Sequence, residues 1–107
     1  MLAGIWERSK TTVAQRVEIL RDATTAAAKG GLDETGRLRA VDSAHKLAGV
    51  LGTFGLPRGT ELAREAEETF GNVEGLSRAE FERLRSIMDE LDSLVRTADP
   101  PYRSDPS

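Results

Sequence analysis

The segment Ser77-Arg78-Ala79-Glu80-Phe81-Glu82-Arg83-Leu84-Arg85-Ser86-Ile87-Met88-Asp89-Glu90-Leu91-Asp92-Ser93-Leu94-Val95 carries both a start signal and a period. Ser77 and Glu80 have the spacing of a capping box. In that motif the hydroxyl accepts from an early helical N–H, and the carboxylate reaches back to the N–H of the serine. Phe81, Leu84, Met88, Leu91 and Val95 then recur at intervals of three and four, which places them on one helix face. The segment is predicted to be an amphipathic helix ending before Asp99-Pro100-Pro101. A single apolar stripe cannot stay exposed to water, so the rest of the chain must supply surfaces to cover it.

Three upstream segments do so. Pro57 suits the first turn of a helix whose narrow stripe is Leu56, Gly59, Ala63, Ala66 and Phe70, with Leu62 beside it; Gly71-Asn72 ends it. Before it, a helix from about Asp33 to Thr53 opens on the acidic pair Asp33-Glu34, which favours the positive end of the helix dipole, although Gly36 weakens its first turn. Phe54-Gly55-Leu56-Pro57 is the break between these two. The first helix runs from near Leu2 to Ala28, with Val13, Val17, Leu20, Thr24 and Ala27 in phase, and stops at Lys29-Gly30-Gly31. Trp6 is expected to pack against the end of the bundle. No stretch alternates as a strand does, and the connections are short. The prediction is therefore an all-α fold, an antiparallel up-down-up-down four-helix bundle.

Residues 1–97 are expected to form this single domain. Residues 98–107, which hold three of the four prolines and little that is apolar, are expected to be a flexible tail or linker. With no cysteine and one histidine, the chain cannot form a disulfide or assemble a zinc site. Its net charge of −3 lacks the basic footprint of a nucleic-acid binder. Its apolar runs are short for a membrane span, and no secretory signal pattern opens it, so a cytoplasmic setting is expected with no membrane or nucleic-acid partner.

That one histidine is the most informative residue for function. In the second helix Ala40, Ala44, Leu47, Leu51 and Phe54 form the core stripe, and His45 lies roughly 140° from its centre. Gly49, one turn on, is nearly opposite the stripe. A helix-interior glycine costs about 0.5–1 kcal/mol relative to alanine. Side chains at i and i+4 stack on one face, so a Cβ at 49 would crowd the approach to the imidazole. The arrangement suggests a nucleophilic histidine cleared for a visiting macromolecule.

His45-Lys46-Leu47-Ala48-Gly49, followed by Gly52, Gly55 and Leu56, resembles the histidine phosphotransfer (HPt) family of two-component signalling. The match is direct over about 25 residues and extends, through the four-helix layout, to most of the chain. The resemblance implies that His45 is the phosphoacceptor. It would take a phosphoryl group from, and pass it to, receiver-domain aspartates in a bacterial phosphorelay. The implied partners are a response-regulator receiver domain or a hybrid sensor kinase. No cofactor is expected on this chain, since magnesium would belong to the receiver, and no kinase or hydrolase activity of its own. In one respect the chain departs from the family: the lysine common three residues after the histidine is Ala48 here, which leaves Lys46 as the nearby lysine that could steady a phosphoryl group.

In this reading a group bonded to Nδ1–H orients the ring for attack by Nε2. Asp42 is a candidate by spacing, as is Glu61 or Glu65 from the third helix. Leu38, Ala48, Gly49 and Gly52 would form the docking face, while Val41 is expected to pack against the first helix. The run Glu65, Glu67, Glu68 reads as a solvated helix face. A different class of function fits the same surface: a helical adaptor that binds a signalling partner without phosphorylation.

Overall fold

The computed structural model describes residues 2–72 and 75–97, with side chains described from residue 7 onward. Four helices make up the fold: α1 (Leu2–Ala28), α2 (Glu34–Thr53), α3 (Pro57–Phe70) and α4 (Arg78–Thr97). Each packs on its chain neighbours and α1 closes the ring on α4, giving the up-down-up-down bundle. The expected tail and the packing of Trp6 lie outside what is described.

Local chemistry accounts for the boundaries. Asp33 is the N-cap of α2, its Oδ1 accepting from Gly36 N at 2.8 Å, so the helix starts one residue later than the sequence expectation. The capping box of α4 forms as expected: Ser77 N donates to Glu80 Oε1 at 2.8 Å, and Glu80 N to Ser77 Oγ at 3.2 Å. Helix α2 ends in a Schellman turn, with Leu56 N bonded to Leu51 O and Gly55 N to Gly52 O. Gly55, at φ +70°, takes the left-handed conformation this turn requires.

The core collects Val13, Val17, Leu20 and Ala23 from α1, and Ala40, Ala44, Leu47, Ala48 and Leu51 from α2. Leu62, Ala63, Ala66 and Phe70 come from α3, and Leu84, Ile87, Met88, Leu91 and Val95 from α4. The expected stripes are all present, with Ala27, Leu56 and Phe81 only half-buried. Ile87, Ala48 and Ser43 are buried beyond expectation. Val41 is half-buried and packs against the core.

Helices α2 and α3 are in tight contact at Gly59 of α3. A Cβ on Gly59 would stand 2.9 Å from Leu51 Cδ1. Thr60 Oγ1 donates to Ala48 O at 3.2 Å, and Arg37 Nη1 donates to Phe70 O at 3.0 Å. These contacts fix the register of α3 along α2, and with it what stands beside His45.

Candidate functional site around His45

His45 projects from α2 with 72% of its side chain exposed, as its place on the helical wheel requires. Its Nδ1 lies 3.1 Å from Glu67 Oε2 on α3. A carboxylate only accepts, so Nδ1 carries the proton and the neutral ring keeps its lone pair on Nε2. The ring is thus held in one tautomer and one orientation while its other nitrogen remains available.

The orienting carboxylate differs from every candidate named from sequence. Asp42 pairs with Lys46 instead, Oδ2 to Nζ at 3.0 Å. Glu61 is 3.7 Å from Arg58 Nη1, and Glu65 forms a two-pronged pair with Arg83 at 2.6 and 2.7 Å. That contact holds the Glu65 carboxyl below its ordinary pKa. Glu67, read from sequence as part of a solvated face, is instead half-buried against His45. No spacing rule within one helix finds it, because it reaches His45 across the α2–α3 interface.

His45, Ala48, Gly49, Arg64, Glu67 and Glu68 line an open groove between α2 and α3. A Cβ added at Gly49 would find nothing within 4 Å, so the clearance inferred from sequence is real space. Gly52 is different: its Cβ would touch Thr60 Oγ1 at 3.4 Å, which ties it to α3 packing. Ala48, expected on the docking face, has its side chain buried and serves as the groove floor. Leu38 is 52% exposed, the one large apolar side chain so exposed among the described residues. It lies about two turns before His45 on the same side of α2.

Lys46 is absent from the groove lining. It follows His45 by about 100° around the helix, on the side turned away from Ala48 and Gly52 and therefore from α3. The cation that does line the groove is Arg64, which the sequence reading passed over. Among the described residues no group of three His, Asp or Glu side chains could hold a metal ion, and no helix is long and apolar enough to cross a membrane.

The arrangement can present a nucleophilic nitrogen, fixed from behind by a carboxylate, at the lip of an open groove that a second protein can reach. Comparison with protein-family models gives a match to the Hpt domain over residues 4–96. Comparison with curated proteins and with solved structures gave no match.

Proposed function

Since the chain belongs to the Hpt domain family, we propose that it is a phosphorelay intermediate in which His45 accepts a phosphoryl group from the aspartate of one receiver domain and returns it to another. The single observation that carries this reading is the exposed imidazole held through Nδ1 by Glu67. Neutral imidazole is a competent nucleophile near pH 7, its ordinary pKa being about 6.5. In the forward step Nε2 bonds to phosphorus as the acyl phosphate P–O bond breaks, and the electron pair leaves on the aspartate carboxylate. The ring becomes a phosphorylated imidazolium that keeps its Nδ1 proton, and the Glu67 carboxylate offsets the new positive charge. In the return step a receiver carboxylate oxygen attacks phosphorus, and the N–P electron pair goes back to Nε2.

Phosphoryl transfer asks chiefly for in-line positioning and charge neutralisation. This chain contributes the nucleophile, its orientation and an open approach over Gly49. The magnesium ion and most catalytic groups belong to the receiver. The proposed partners are receiver domains of response regulators or hybrid kinases, in a cytoplasmic relay. Leu38, beside the reactive face, suits the apolar part of such an interface.

Incubating the protein with a phosphorylated receiver domain tests the proposal. Acid-labile, base-stable label should appear on the wild-type chain and vanish in His45→Gln, whose thermal midpoint should stay within about 2–4 °C of wild type because the ring is exposed. Binding of the receiver without label on His45 would favour the adaptor reading instead.

A further inference from the structure

A phosphoryl group on His45 would enter a groove already lined by two carboxylates, Glu67 and Glu68. It would add further negative charge to them, and α2 supplies nothing to balance it. Position 48 is an alanine, and Lys46 is paired with Asp42 on the far side of His45.

Arg64 is placed to fill this need. Two contacts bracket it along α3: one turn earlier Thr60 bonds Ala48 O, and one turn later Glu67 meets His45. Between them Arg64 lines the same groove as His45 and Gly49, where the space above Gly49 is open. Arg21, Arg37, Arg58 and Arg83 are each tied into ion pairs. Arg64 has no hydrogen-bond or ion-pair partner among the described residues, so its guanidinium is uncommitted. A planar guanidinium fork matches phosphate oxygens in geometry as well as charge.

We propose that Arg64, reaching from α3 over the Gly49 clearing, is the cation that binds the phosphoryl oxygens on His45, a role that in this chain falls to neither Lys46 nor position 48. The assignment rests on the phosphotransfer reading above. It makes the loaded state depend on both helices: α2 supplies the nucleophile, and α3 supplies the carboxylate behind it and the cation ahead of it.

The test compares wild type, Arg64→Gln, Arg64→Lys and Arg85→Gln as full chains. Arg85 lies at the cleft between α1 and α4, and its replacement changes net charge equally. Each is equilibrated with a phosphorylated receiver domain, and the share of label on His45 is measured at low and high salt. Arg64→Gln should lower the loading equilibrium constant roughly two- to five-fold, the range for a solvent-accessible ionic contact. Arg64→Lys should recover most of the loss. The difference should shrink at about 1 M salt, where screening acts over about 3 Å. Arg85→Gln should load as wild type does.

Equal loading of wild type and Arg64→Gln at low salt would overturn the assignment, as would a loss that Arg64→Lys does not recover or that Arg85→Gln shares. A wild-type chain that takes no label on His45 would overturn the phosphotransfer reading itself, and the Arg64 role with it. The two failures are therefore distinguishable.

Discussion

Alanine is favoured over glycine by about 0.5–1 kcal/mol in a helix interior, and at position 49 the fold gives no reason to forgo that gain. No atom lies within 4 Å of where the Cβ would be. Gly49→Ala should therefore stabilise the isolated domain by up to about 1 kcal/mol in a denaturant titration. Gly49→Gln, with the same helix content by circular dichroism, should slow phosphoryl exchange with a receiver, because its side chain would fill the approach to Nε2. If Gly49→Ala destabilised the fold, or Gly49→Gln exchanged as fast as wild type, clearance would not be the function of this glycine. His45 and Gly49 were legible in the sequence because both facts belong to one helix and follow from a wheel. Glu67 and Arg64 were not, since each reaches the site from α3. Their place beside His45 depends on an interhelical register that no spacing rule contains. The same bias toward local spacing promoted Asp42 and Lys46, which satisfy each other one turn apart.

Between elements, a second glycine behaves in the opposite way. Gly59 faces α2, where its Cβ would stand 2.9 Å from Leu51 Cδ1 and 3.5 Å from Cγ, against a side chain that is itself buried in the core. Gly59→Ala should lose the propensity gain that Gly49→Ala enjoys and be neutral to destabilising. Gly59→Val should cost about 1–3 kcal/mol through overpacking. Urea unfolding midpoints of the three variants give the ranking directly, and a Gly59→Ala midpoint as high as that of Gly49→Ala would mean that α2 and α3 are not held apart by this contact. The helices themselves were readable because their ends carry chemistry: the Ser77–Glu80 box, Pro57, and the glycines at 30 and 55 all act where the sequence placed them. The width of each buried face was not. A stripe of one residue per turn suits a helix with one neighbour, whereas each helix here packs against two. The buried sector therefore widens to include Ile87 on α4 and both Ser43 and Ala48 on α2.

Across the whole molecule, apolar burial lies inside the ring of helices and ion pairs lie along its seams: Arg21 with Asp89 and Asp92 between α1 and α4, and Arg58 with Glu90 and Arg83 with Glu65 between α3 and α4. The two kinds of interaction should differ in size and in pH dependence. Leu84 is fully buried, and Leu84→Ala should cost about 2–5 kcal/mol through lost transfer energy and the cavity left behind. Arg83 and Glu65 are each 41% exposed, so Arg83→Gln should cost no more than about 0.2–1 kcal/mol at pH 7. Hydrogen bonding to Arg83 holds Glu65 below its ordinary pKa, so the unfolded chain takes up its proton at higher pH than the folded one does. The contribution of the pair is therefore full above the ordinary glutamate value of about 4.3 and is lost as pH falls through the lower, folded value. The gap in stability between wild type and Arg83→Gln should close on acidification through that range, while the larger gap for Leu84→Ala, which involves no proton, stays open. Denaturant titrations of the three chains at pH 7 and across the carboxylate range read both differences. An Arg83→Gln gap that persisted unchanged into acid would mean that the arginine acts there through packing of its alkyl stem and not through its charge.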